Sequence, residues 1–357
     1  MKKSIMMALI LGLTMAVAPL SFAGLATFQN GGDRLVDTQY TDGGWGWYLN
    51  APPTYGNILG PIAMGLAQAY NQTADAGQLA ALADAGAFLL AKTNDFSPSD
   101  GYLATELDSI FGGTTYADHV MANFYNALAA GSYNRNGDGI LYTTETYIQL
   151  IRDARAGGGI GNLATWDIGM GLYAAGQVGA DTSAWIAGVG AELDELDGAG
   201  YFDVIGLAGG ILGLASVGED YNTTAGEHVA AGNLSDLANI LASYQIDGGG
   251  FAWNSGYVIA NDDNESIQET AYSLLALNEF DASSFIGELA GAGNYLTSTQ
   301  LGTGGWEGYA GSGENNEITG EALWALNSAP VVPVPTTAGL VLMGFGCLAA
   351  RRRKRRS

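Results

Sequence analysis

The chain is short of thiols, imidazoles and positive charge, and each shortage closes off a kind of chemistry. Its one cysteine, Cys347, sits in an apolar run near the C-terminus. Residues 24–328 therefore offer no disulfide, no thiolate nucleophile, no thioester and no thiolate zinc site. Two histidines, His119 and His228, are too few for a multi-histidine metal centre. Of the 13 Lys and Arg, two stand at the extreme N-terminus and six at the extreme C-terminus. The body keeps Arg34, Lys92, Arg135, Arg152 and Arg155, five bases against 36 Asp and Glu, a balance of −31. Nucleic acid is held by Lys and Arg that neutralise phosphates, so it is not an expected partner. Anionic lipid or polysaccharide needs a bridging cation, whereas solubility and divalent-cation uptake are favoured. Neither haem, nucleotide nor zinc is expected.

Both ends carry targeting patterns. Met1-Lys2-Lys3 is a basic start, Ile5 to Leu20 an apolar core, and Ser21-Phe22-Ala23 a small-residue cleavage site before Gly24. Residues 1–23 thus read as a signal peptide, and the protein is expected to be exported. Residues 329–357 hold Pro333-Val334-Pro335, an apolar run from Ala338 to Ala350, and a basic stop that opens with Arg351, Arg352 and Arg353. The apolar run is shorter than the roughly 20 residues of a comfortable membrane helix, and its bases are expected to face the cytoplasm. A plain tail anchor shares these features. The order also resembles the C-terminal sorting signal (PEP-CTERM type) read by exosortases of Gram-negative bacteria, with Pro-Val-Pro where Pro-Glu-Pro is usual. That resemblance implies a transient exosortase partner, passage through the inner membrane, and a destination at the cell surface or extracellular matrix.

Between these segments one pattern recurs: Gln39 before Asp42-Gly43-Gly44-Trp45-Gly46-Trp47, Gln245 before Gly249-Gly250-Phe251-Ala252-Trp253, and Gln300 before Gly304-Gly305-Trp306. A recurring motif implies stacked supersecondary units. Runs at 56–72, 116–132, 165–178, 202–217, 264–279 and 315–327 are apolar nearly all round and predict helices buried on every side. More amphipathic runs alternate with them at 32–40, 76–93, 143–156, 182–197, 231–244 and 283–299. The expected fold is all-α, an (α/α)6 toroid over residues 24–328. The Gln…Gly-Gly-Trp turns resemble the "QW" repeats of terpenoid cyclases, whose six-hairpin fold is shared by protein prenyltransferases. Neither chemistry comes with the likeness. No Asp-x-Asp-Asp is present, Asp194-Glu195-Leu196-Asp197 being the nearest, and the prenyltransferase zinc set needs a cysteine. Trp45, Trp253 and Trp306 are expected to plug helix junctions. Trp47, Tyr48 and Tyr55, beside Pro52-Pro53, are expected at one mouth of the barrel as ligand contacts.

Residues 134–145 fit a twelve-residue EF-hand loop. Asn134, Asn136 and Asp138 supply oxygens at positions 1, 3 and 5, and Gly139 the sharp turn at position 6. Ile140 offers its carbonyl at position 7, Leu141 is the apolar eighth residue, and Glu145 is a bidentate ligand at position 12. Asn in place of Asp at position 1 implies weak Ca²⁺ binding, in the extracellular range of ~10⁻⁴–10⁻³ M. The same residues would also suit a turn between two helices. Asn261-Asp262-Asp263-Asn264-Glu265 reads as a solvated acidic loop that could hold a second cation.

No catalytic group is assigned by the sequence. Acids near predicted inner-helix starts are Glu106, Asp108, Asp118, Asp167, Asp203 and Glu317, and His119 adjoins Asp118. Glycoside cleavage commonly uses two such carboxylates. The expected function is a calcium-stabilised binding or structural module, for glycan or exopolymer. The alternatives are a polysaccharide lyase or glycoside hydrolase with carboxylates at the barrel mouth, and a carrier of an apolar ligand. Converging acids, exposed aromatics or a dry deep cavity distinguish the three.

Overall fold

The computed structural model describes residues 22–49, 58–260 and 265–329. The leader up to Ser21, Pro52, Pro53, Tyr55, Asn261 to Asn264, and the sorting residues Pro333, Pro335, Arg351, Arg352 and Arg353 lie outside them.

The fold is all-α, as its hydrophobic periodicity dictates. Helices α1 (Phe22–Thr38), α2 (Leu59–Thr73), α3 (Ala76–Ala91) and α4 (Ser99–Phe111) come first. A broken helix follows: α5 (Thr115–Val120), a π turn over Met121–Tyr125, and α6 (Asn126–Ala129). Then come α7 (Thr144–Gly157), α8 (Asn162–Val178), α9 (Ser183–Leu193), α10 (Asp203–Val217) and α11 (Leu234–Ala242). The last are α12 (Ser255–Ala260), α13 (Ile267–Asp281), α14 (Ile286–Ser298) and α15 (Asn316–Ser328). Two short antiparallel pairs join their ends: β1 (Phe251–Ala252) with β2 (Glu265–Ser266), and β3 (Trp306–Glu307) with β4 (Glu314–Asn315). Gly179 and Gly218 end α8 and α10 in the left-handed conformation. Among the described residues no helix is long and apolar enough to cross a membrane.

Six helices are buried around most of their circumference: α2, α4, α8, α10, α13 and α15. They touch in order. α2 packs on α4, α4 on α8, α8 on α10, α10 on α13, α13 on α15, and α15 returns to α2. Small residues permit the tightest crossings. A Cβ on Gly65 would collide with the Gly320 carbonyl, and one on Gly169 with that of Gly209. Each of α3, α9, α11 and α14 lies against two neighbours of that series.

One expected assignment is reversed. The run 116–132 was to be a helix buried all round, but it holds α5 and α6, whose buried apolar side chains lie on one face. The buried member of that pair is α4, with Tyr102, Leu103, Ala104 and Leu107 in the core. Three acids disguise it in the sequence, two of them buried and satisfied. Asp100 ion-pairs with Lys92 at 2.7 Å, both out of solvent. Asp108 accepts hydrogen bonds from the N–H groups of Tyr116 and Ala117 and so caps α5.

The repeated turns are one structure built three times. Gln39 Nε2 donates to the carbonyls of Gly43 and Ala81, Gln245 to those of Gly249 and Glu288, and Gln300 to those of Gly304 and Thr27. Gly43, Gly249 and Gly304 sit at φ of 87°, 91° and 97°, where a side chain is strained. Trp45 and Trp306 donate their indole N–H groups to Leu35 and Leu296 and are fully buried. In the middle copy that plug is Phe251, not Trp253. Trp253 aligns instead with Trp47 and stands half-buried beside Tyr257 and Tyr309.

Candidate functional site

The four acid and histidine candidates flagged around residues 106–119 each make contacts in local structure. Glu106 accepts from Asn71 Nδ2 at 2.8 Å, and Asp108 caps α5. Asp118 is exposed and accepts from the Thr114 hydroxyl at 2.7 Å. His119 places Nε2 3.0 Å from the Lys92 carbonyl and packs its ring on Phe96. Asp203, from the start of α10, is fully buried with His228 Nε2 at 3.5 Å.

Asp167, Glu317 and Trp47 do come together. Asn316 draws the Trp47 segment onto the start of α15: its N–H donates to the Trp47 carbonyl and its side chain to that of Gly46, both at 2.9 Å. Glu317 follows in the first turn, near enough to the Trp47 side chain for it to favour the carboxylate form. From α7, Arg155 Nε reaches Asp167 of α8 at 2.5 Å. Asp167 keeps a quarter of its side chain water-accessible. It is therefore a half-buried carboxylate, not one in dry core.

Electrostatics separates these groups. Burial pushes the Glu317 carboxyl up to about 7; the Trp47 side chain and the Arg155 charge oppose the rise, and the Asp167 charge adds to it. Burial also raises Asp167, while its ion pair with Arg155 pulls it back. One turn along α15, Glu321 is held well above the usual carboxylate range by burial and by the Glu317 charge. It accepts from the Tyr272 hydroxyl and from Gln268 Nε2, and Trp166 stacks on Tyr272 at 3.5 Å. Burial alone lifts Glu269 of α13 to about 7. The arrangement offers a carboxylic acid that keeps its proton near neutrality beside an anion held by a guanidinium. Carboxyls divided by environment in this way can share acid and base work.

Three aromatic residues are open to solvent. Trp47 is 41% exposed, Tyr48 60% and Tyr309 51%. The backbone of Tyr48 bridges to Asn315, one residue before α15. Arg155, Glu269, Tyr272 and Glu321 were not singled out in the sequence. One signal was available for Glu321: two acids four residues apart in an otherwise apolar helix share a face.

The loop at 134–145 has part of the geometry a cation needs. Asn134 Oδ1 accepts from Gly139 N–H across the turn at 3.1 Å, and Asn136, Gly137 and Gly139 take positive φ. Asp138 accepts from Ile140 N–H at 2.8 Å and from the Tyr142 hydroxyl at 2.9 Å. Hydrogen bonding to Thr143 holds the Glu145 carboxyl below its usual range, ready as an anion. Leu141, expected to pack as the apolar eighth residue, is 62% exposed. Among the described residues no three His, Cys, Asp or Glu side chains are grouped to hold a metal. The loop's ligand set draws instead mainly on Asn side chains and a carbonyl.

No protein-family model matches the chain, and no curated protein does. Among solved structures, the crystal structure of a protein from Actinoplanes is similar to 86% of this chain over 99% of its own length, with a TM-score of 0.52 and 18% identity. That likeness concerns the fold alone.

Proposed function

We propose that this protein is an exported α/α toroid that binds and cleaves a glycan, with Glu317 as proton donor, Asp167 as its anionic partner and Trp47 as a sugar platform. The observation that carries the reading is that Glu317 lies within the electrostatic reach of the Arg155–Asp167 pair and of Trp47 and is pushed up to about 7. Toroid closure is supported by the return of α15 to α2, and by the Gln300 turn, which lies on Thr27 and Asn30 of α1. A Glu protonated near neutrality can donate to a leaving glycosidic oxygen, and an anion across the bond can assist water or stabilise positive charge. Glu269 and Glu321 support the site from behind without reaching solvent.

A non-cleaving surface module is the second reading. Arg155 already neutralises Asp167, and the exposed rings of Trp47, Tyr48 and Tyr309 could hold a glycan without any reaction. The apolar carrier has less support, since the interior wall carries ionisable groups. In either reading the loop at Asn134, Asn136, Asp138, Ile140 and Glu145 binds Ca²⁺ and clamps the junction to α7. The terminal segments deliver the chain through the inner membrane to an exosortase and then to the surface or matrix.

The test is a panel of neutral, cationic and anionic polysaccharides scored for both retention and product release. The enzyme reading expects release by the wild type, lost by ~10²–10⁴-fold in Glu317→Gln while retention persists. Retention without release in both proteins would select the binding module. Undiminished release by Glu317→Gln would remove Glu317 from the chemistry.

A further inference from the structure

A recess of about 420 Å³ opens among α7, the start of α8 and the loop that follows α9. Its size is within the usual range of small-ligand sites, ~300–1,000 Å³. At the floor lies Thr165, fully buried, whose hydroxyl has no hydrogen-bond partner. A buried polar group without a partner costs roughly 1–3 kcal/mol, and a ligand hydroxyl reaching the floor would supply the missing bond. At the rim Tyr201 is 66% exposed and offers an aromatic face.

The charge of the recess selects the ligand. Its base, Arg152, already donates to Glu192 and, at 2.8 Å, to Glu195. No free cation remains there for a sugar carboxylate or sulfate. Asp153, Glu195 and Asp197 stand exposed at the mouth. With Glu195 held by Arg152, a uronate would meet repulsion from Asp153 and Asp197, and an ammonium group would meet these two carboxylates.

We propose that this recess is a subsite for a hexosamine unit with a free amino group, so that the preferred glycan is cationic. The amine lies among the mouth carboxylates, a ring hydroxyl reaches Thr165 Oγ1, and the sugar face rests on Tyr201. Arg152 precedes Arg155 by three residues on α7, so the recess lies one turn along that helix from the base that pairs with Asp167. The inference rests on the glycan reading of that site and adds its substrate class.

Calorimetric titration of the full chain with glucosamine, N-acetylglucosamine and galacturonate oligomers of equal length tests it. The glucosamine oligomer is expected to bind at least ~10-fold tighter than the acetylated one, and salt is expected to weaken it. Asp153→Asn with Asp197→Asn should remove most of that preference, and Thr165→Val should weaken binding at unchanged melting temperature. Equal affinity for the acetylated oligomer, or a preference that survives the double substitution, overturns the subsite. Glu317-dependent release from a neutral glycan would in that case leave the proposed function standing. Absence of both binding and release with every glycan would remove the two together.

Discussion

Glu317 shows how one residue acquires an environment its sequence position only hints at. An acid in the first turn of a helix ordinarily favours its anion, because the helix dipole is positive there. Here burial outweighs the dipole and lifts the carboxyl to about 7. If it donates a proton in catalysis, product release should fall as pH rises through ~7. The Trp47 side chain holds Glu317 down, so Trp47→Phe, which keeps a ring and loses the N–H, should move that fall to higher pH. Initial rates of reducing-end formation across pH 5 to 9 would check this; an unmoved limb would mean that Trp47 does not touch the titrating group. Asp167, Glu317 and Trp47 were each legible in the sequence as candidates. That they meet was not, because 270 positions separate Trp47 from Glu317 and no spacing rule reaches so far. Asp108 and His119 were equally legible and misleading, since a polar group near a helix end is as often a cap as a catalyst.

At the scale of elements, the Gln…Gly-Gly turns make a sharp comparison possible. Gly304 has φ of 97°, and any Cβ there would strike the Asn30 carbonyl of α1. Gly287, in the first turn of α14, has nothing within 4 Å of where its Cβ would lie. Gly304→Ala is expected to destabilise the fold by about 2 kcal/mol or more, whereas Gly287→Ala should be neutral or stabilising by ~0.4–1 kcal/mol. Urea denaturation of the two variants would separate them, and equal midpoints would contradict the turn geometry. The loop before α7 carries its own test. If residues 134–145 hold Ca²⁺, chelator should lower the melting temperature of the wild type but not of Glu145→Ala, and added Ca²⁺ in the millimolar range should restore only the former. Helix runs and the turn repeat were readable because apolar periodicity and glycine punctuation are local signals. The exchange of α4 for the 116–132 run was not, since the acids of α4 look solvated until Lys92 and the N–H groups of α5 are seen beside them.

For the whole molecule the buried acids set the response to pH. Glu269 has its carboxyl at about 7 when folded against an ordinary value of 4.5. Between those pH values the folded protein holds a proton that the unfolded chain has released, so stability falls as pH rises across the window and levels off above it. The difference corresponds to about 3 kcal/mol for this one group. Glu317, shifted the same way, adds to the trend. Thermal unfolding should therefore give a higher midpoint at pH 5 than at pH 8, and Glu269→Gln should flatten the dependence. A midpoint that rises over that interval would contradict the burial of these carboxyls. Net charge works in the same direction, because five bases among 36 acids leave self-repulsion that grows as the acids ionise.

The sequence by itself determined the helical character of the body, the rhythm of its turns, its acidity and the chemistries closed to it, because periodicity, glycine placement and composition need no partner to be read. Only the tertiary structure decided which acids lie near one another and which of them keep a proton. Both depend on distance and on exclusion of water, and those exist only once helices far apart in the chain are packed side by side.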